Sequence, residues 1–235
     1  MTIDVQRAAQ DFAQEVQDLL DSVLPCPDNV PHEDRKVLVP FIDGRRYSVR
    51  VGDSLSKVTL TKDKAPVGYL RVIFWCTLDT SRTYLAVHKS TFELLEFSDR
   101  QPIARLDYMR EASTAPAAHW NIHAERGTVS RMLSRTNPGH PGALSALHFP
   151  VGGARMRPCL EDFLHFLIHE FKIDIMPGAL AVLSEGRERW RRRQIGTVVR
   201  DAPDEAIRVL TELGYAVRPP ATGEREANSQ ALQRW

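Results

Sequence analysis

Long apolar runs are missing from this 235-residue chain: nowhere does it reach the roughly 18 consecutive apolar residues that span a bilayer, so no membrane partner is expected. Its first residues, Met1-Thr2-Ile3-Asp4-Val5-Gln6-Arg7, also lack a basic stretch leading into an apolar one, which predicts no secretory leader and a cytoplasmic location. Cysteine is scarce. Cys26, Cys76 and Cys159 are odd in number, far apart and without C-x-x-C spacing, which speaks against a disulfide framework and for free thiols in a reducing compartment. Charge of one sign is absent too: 31 Lys and Arg stand against 30 Asp and Glu, so any nucleic-acid or acidic partner must be met by a local patch rather than by a global field. There is no internal repeat, no phosphate-binding glycine loop of P-loop spacing and no H-E-x-x-H. No cofactor is implied.

What the chain does have is 43% hydrophobic residues in patterned order, enough for one large domain with appendages. Over residues 5–24 the apolar positions Val5, Ala8, Ala9, Phe12, Val16, Leu19, Leu20 and Val23 recur every three or four residues, which predicts an amphipathic helix ended by Pro25, Pro27 and Pro31. Between residues 36 and 109 the texture turns to β-branched and aromatic alternation. Candidate strands cover 37–41, 45–51, 57–61, 68–78, 83–88, 92–97 and 103–108, joined by short turn segments that favour an antiparallel meander. Two later strands, 118–124 and 144–150, are expected to complete the sheet. They flank a loop marked by Pro138-Gly139-His140-Pro141-Gly142, with one helical turn at 129–133. Pro158 then opens a helix whose stripe of Leu160, Phe163, Leu164, Leu167, Ile168 and Phe171 should lie on the sheet. Residues 177–213 read as helical, with a break near Gly196 and a restart at Asp201-Ala202-Pro203-Asp204.

The expected fold is therefore α+β, a curved antiparallel sheet packed against a helix and flanked by N- and C-terminal helices. Its parts are an N-terminal helix (1–30), a core of sheet and packing helix (31–175), a C-terminal helical arm (176–218) and a disordered tail (219–235).

His119-Trp120-Asn121-Ile122-His123 carries the strongest chemical signal. On a strand it sends His119, Asn121 and His123 to one face and Trp120 and Ile122 to the other. Imidazoles titrate near neutrality, so a pair can serve as general base and general acid, which is sufficient for RNA cleavage through its own 2′-hydroxyl. Four residues of strand hold the two rings about 13 Å apart. That spacing disfavours a shared metal ion and favours His148 as the partner of either His119 or His123. The plainer account is a solvated polar sheet face.

Three further groups merit attention. Glu161, Asp162, His165 and His169 share the polar side of the helix after Pro158, where His165 and His169 have the i, i+4 spacing of a metal pair; a solvated helix face explains them equally. In Gly152-Gly153-Ala154-Arg155-Met156-Arg157, Arg155 and Arg157 are candidates to hold a phosphate before a helix N-terminus. The densest charge, Arg187, Arg189, Trp190, Arg191, Arg192 and Arg193, suits a nucleic-acid backbone with stacking on Trp190, or an acidic protein partner.

Taken in order, Leu106-Asp107-Tyr108, His119-Trp120-Asn121-Ile122-His123, Leu147-His148-Phe149 and Leu160-Glu161-Asp162-Phe163-Leu164 give the stretch 106–171 a pattern that resembles TumE-type toxins of bacterial toxin–antitoxin pairs. The resemblance implies an RNA-cleaving toxin neutralised by a protein partner. The leading expectation is thus a metal-independent ribonuclease-like protein with His119, His123 and His148 as acid/base groups. The alternatives are a non-catalytic protein-binding module and a His-ligated metal hydrolase.

Overall fold

Among the described residues nine strands form one antiparallel sheet, and helices cover one of its faces. The computed structural model describes residues 4–28, 30–43, 46–51, 57–79, 82–97, 101–112, 115–124, 149–151 and 156–233. The strands are β1 (Val37–Leu38), β2 (Phe41–Asp43), β3 (Arg46–Val51), β4 (Lys57–Lys62), β5 (Ala65–Leu78), β6 (Leu85–Leu95), β7 (Pro102–Met109), β8 (Ala118–Ile122) and β9 (Phe149–Pro150). They lie in the order β1-β3-β5-β6-β7-β8-β9, with β2 beside β3 and β4 beside β5, so the α+β fold and the antiparallel meander are as the sequence pattern predicts. The 14-residue β5 is the spine. Its first half pairs with β4 (Lys57 opposite Arg71), its second with β3 (Tyr47 opposite Cys76), and β6 runs along its other side from Tyr69 to Leu78.

Alternation on these strands decides what faces the helices. Leu70, Val72, Phe74 and Cys76 of β5, Phe92 and Leu94 of β6 and Leu106 of β7 enter one core with Val49, Val51, Val58 and Leu60. Helix α1 (Val5–Val23) buries Ala9, Ala13, Val16, Leu20 and Val23 at helical spacing against this face. Asp4 caps its start by accepting the Arg7 N–H (3.1 Å). Its end is closed by buried Arg35, which donates to the carbonyls of Leu20 (3.3 Å) and Leu24 (3.1 Å).

Helix α2 (Leu160–Phe171) supplies the centre of the core. Phe163, Leu164 and Leu167 are fully buried. An aromatic ladder runs from Phe12 through Phe74 (5.0 Å between ring centroids) and Phe92 (5.3 Å) to Phe163 (5.9 Å) and on to Trp120 (5.4 Å). Helix α3 (Ala179–Asp201) crosses α2 at Gly186, where a Cβ would collide with the Glu161 carboxylate. Helices α4 (Pro203–Glu212) and α5 (Ser229–Gln233) bury no residue. No described helix is long and apolar enough to cross a membrane.

Several elements differ from the sequence expectation. The predicted strand 37–41 is divided into β1 and β2 around Pro40, which has no N–H to give a ladder. The predicted strands 83–88 and 92–97 are one strand, β6: Lys89-Ser90-Thr91 looks like a break but continues the ladder past a bulge opposite Trp75 and Cys76. The β4–β5 turn lies at Asp63 and Lys64, both with positive φ and neither glycine. The Asp174 carboxylate accepts the N–H groups of Asp63 (2.9 Å) and Lys64 (2.8 Å), which offsets the conformational cost from outside the hairpin. Helix α3 passes through Gly196 and breaks only at Ala202, where Pro203 removes the next donor. The tail expected to be disordered carries α5, tied down where Asn228 N–H donates to the Asp201 carbonyl (2.7 Å). Of the predicted strand 144–150, Phe149 and Pro150 pair with β8. Its residues 144–148 and the helical turn at 129–133 lie outside the described residues.

Because Phe163 joins both arms of the aromatic ladder, Phe163→Ala should cost about 3–5 kcal/mol. Urea unfolding followed by circular dichroism checks this, and a loss below about 1 kcal/mol would deny Phe163 its central role.

Candidate active site

Strand β8 is oriented by its tryptophan. Trp120 stacks on Phe163 with an interplanar angle of 17° and meets Phe166 edge-on at 5.0 Å, so its neighbours His119 and Asn121 turn to the face without helices. There they join the polar residues of β5, β6 and β7 around a concavity of about 480 Å³ whose wall includes Arg71, Thr91, Glu93, Arg105, Asp107 and His119. This volume is within the usual range for small-molecule sites, roughly 300–1,000 Å³.

Asp107 is the hub. Its carboxylate accepts from Thr91 Oγ1 (2.8 Å) and from Asn121 Nδ2 (3.2 Å), and it forms an ion pair with Arg105 Nε (2.6 Å). The register explains the convergence: Asp107 stands opposite Thr91 on one side and His119 on the other, while Arg105 stands opposite Asn121. A second pair, Arg71 and Glu93, closes the neighbouring rung at 2.5 Å.

The tautomer of His119 follows from its partners. Its Nδ1 lies 2.8 Å from the Pro116 carbonyl oxygen, which can only accept, so Nδ1 carries the proton and the lone pair of the neutral ring belongs to Nε2. That nitrogen faces Asp107 Oδ2 at 3.9 Å. An ionised carboxylate only accepts, so Asp107 does not compete for that lone pair.

On the same face, Asn121 Oδ1, on a fully buried side chain, and His123 Nε2 make no hydrogen bond among the described residues. Burial, reinforced by the positive charge of Arg105, lowers the His123 pKa, and Nδ1 of that ring meets Gln101 Nε2 at 2.9 Å. His123 is therefore a neutral ring at neutral pH. Searches against protein-family models, curated proteins and solved structures find no match to this chain.

His119, Asn121 and His123 share the open face as their alternation predicts. His148 and Arg155 lie outside the described residues, as do Gly152 and Gly153. Arg157 is on the helix-covered face. Its guanidinium sits between the rings of Tyr108 (3.6 Å) and Trp190 (4.8 Å), and its carbonyl accepts from Trp190 Nε1 (3.4 Å). The sheet thus separates Arg157 from His119.

The helix group is held by α3. Arg187 pairs with Asp162 (2.6 Å) and contacts His165 Nδ1 (2.9 Å), while burial and then Arg187 lower the His165 pKa. Arg187 therefore joins two helices. Of the remaining arginines, Arg192 pairs with Glu188 (2.7 Å) and Arg193 with Glu15 (3.4 Å), and Arg189 and Arg191 are exposed. Among the described residues no three His, Cys, Asp or Glu side chains are grouped to hold a metal ion.

Arg71, Thr91, Glu93 and Arg105 are absent from the sequence expectation, and Asp107 enters it only through the family resemblance. A signal for them existed, because polar residues at every second position in Thr91-Phe92-Glu93-Leu94 and Arg105-Leu106-Asp107-Tyr108 repeat the pattern of the His119 strand.

The lowered pKa values of His123 and His165 set the sign of a pH effect. Below about 6.5 an unfolded chain protonates these rings while the folded one does not, so stability falls as pH drops through that value. Between about pH 7.5 and 5.5 the wild-type Tm should fall more steeply than that of His123→Gln/His165→Gln, and equal slopes would contradict the assignment.

Proposed function

We propose that the open sheet face binds single-stranded RNA and that His119, backed by Asp107, cleaves it without a metal ion. The orientation of His119 carries the proposal: Nδ1–H donates to the Pro116 carbonyl, and Nε2 is turned toward Asp107. In cleavage, Nε2 takes the proton of the 2′-hydroxyl, the alkoxide attacks the adjacent phosphorus, and the 5′-oxygen departs and is protonated by water. Asp107 stabilises the imidazolium that forms. Arg105, on the strand next to His119, is the guanidinium placed to meet the developing phosphorane charge.

The surroundings suit a nucleic acid. Trp75 lies on the same face with Lys89 over its ring at 4.7 Å, and Tyr69 lies further along β5 with Lys57 at 4.9 Å. Each pair sets a stacking surface next to a cation, the combination that holds unpaired bases and their backbone. His119 acts as the single acid/base group here, since neutral His123 lies four residues away along the strand. The role of a toxin held by an antitoxin rests on the family resemblance of residues 106–171.

A second reading has its own support. Helix α4 is amphipathic yet buries nothing, and Val209 (38% exposed), Leu210 (39%), Leu213 (68%) and Tyr215 (64%) leave an apolar stripe at the end of the arm. Such a helix suits docking against a protein partner, the business of a non-catalytic module.

Cleavage of an unstructured oligoribonucleotide by the purified chain separates the two. His119→Ala should lower kcat/KM by about 10²–10⁴-fold with an unchanged circular dichroism spectrum. A 2′-deoxy substitution at the scissile nucleotide should abolish cleavage. A parent protein without activity, or a His119→Ala variant as active as the parent, would sink the catalytic proposal and leave the binding module.

A further inference from the structure

On its open side the spine strand β5 is bordered by positive charge that nothing neutralises. Opposite residues 69–75 stand four charged side chains: Lys57 on β4, Arg50 on β3, and Lys89 and Glu93 on β6. Glu93 is engaged by Arg71. Arg50, Lys57 and Lys89 make no side-chain hydrogen bond or ion pair among the described residues, and Arg50 Nε is left without an acceptor. Alternation that buries Leu70, Val72 and Phe74 turns Tyr69, Arg71, Ile73 and Trp75 to this side, where each is partly exposed.

The two rings lie on one strand and one face, six residues apart, which is about 20 Å by strand rise. Lys57 Nζ sits 4.9 Å from the Tyr69 ring and Lys89 Nζ 4.7 Å from the Trp75 ring, while Phe97 meets Tyr69 edge-on at 4.8 Å and widens the platform. An ammonium held only by a ring exchanges it readily, because a base stacked on the ring outweighs an exposed cation–ring contact and brings a phosphate for the freed ammonium. Ring and cation thus recur along β5 as base and phosphate recur along a single strand. A flat anionic surface has no flat rings to place on Tyr69 and Trp75.

We propose that β5 is the track that grips a single-stranded nucleic acid, its bases stacked on Tyr69 and Trp75 and its phosphates at Arg50, Lys57 and Lys89. The track rests on the reading of the open face as an RNA surface and says where that RNA is held. His119 lies on the rung of Ile73, Thr91 and Asp107, three strands away or about 14 Å. Grip and cleavage therefore belong to different residues.

Fluorescence anisotropy with a labelled oligothymidylate dodecamer tests the track, since a strand without 2′-hydroxyls cannot be cut by the His119 chemistry and reports grip alone. Saturable binding is expected, with log Kd rising against log salt concentration at a slope of about 2, the value for three neutralised phosphates. Arg50→Ser/Lys57→Ser/Lys89→Ser should remove most of that slope, and Lys57→Ser/Lys89→Ser, which spares the half-buried arginine, about two thirds of it. Trp75→Leu should weaken binding roughly tenfold at an unchanged slope. A parent that does not bind, a slope that survives the lysine variants, or binding abolished instead by Arg191→Ser/Arg192→Ser on α3 would each overturn the proposal. The two readings fail separately. Binding that the lysine variants weaken, beside an uncut RNA strand, upholds the track and removes the role of His119. RNA cleavage by a parent whose affinity ignores the lysine variants does the reverse.

Discussion

The stack of Trp120 on Phe163 fixes more of this molecule than any other contact. A strand presents opposite faces on alternate residues, so committing Trp120 to the helix side commits His119 and Asn121 to the other. A slip of one residue in β8 would place an indole in the polar concavity and two polar side chains against Phe163 and Phe166, which the core would not tolerate. The chemistry of the open face is thus set by an apolar contact on the reverse side. The same logic extends across the sheet, where Phe92 and Leu106 in the core oblige Thr91, Arg105 and Asp107 to gather around His119.

Much of the fold was legible as periodicity. The spacing of Ala9, Ala13, Val16, Leu20 and Val23, and of Leu160, Phe163, Leu164 and Leu167, predicts helices that are present, and the alternation from residue 37 onward predicts the antiparallel sheet. What escaped depends on partners remote in sequence. Asp63 and Lys64 do not announce a tight turn, because their left-handed backbone is supported by Asp174, more than a hundred residues later. Lys89-Ser90-Thr91 suggests a loop when β6 is considered alone, and continues as strand because β5 and β7 flank it on both sides.

The candidate site was legible in part for the same reason. His119 and His123 stand out by residue type, and their separation along a strand already argues against joint action on one atom. Arg157 likewise attracted notice as a phosphate ligand, but strand parity puts Tyr108 beneath it and α3 brings Trp190 over it, on the far side of the sheet. Asp107 gains its importance only from register, which sequence alone does not reveal. Thr91, Asn121 and Arg105 look like ordinary polar alternation until three strands are laid side by side.

Pro40, which divides β1 from β2, has a consequence for how the protein meets its neighbours. An open sheet invites further strands along any straight edge with free N–H and C=O groups, the route to uncontrolled growth between chains. On this flank the outermost pieces are two and three residues long, and between them stands a residue that cannot donate. No incoming strand finds a continuous ladder there. The flank resists strand-by-strand association.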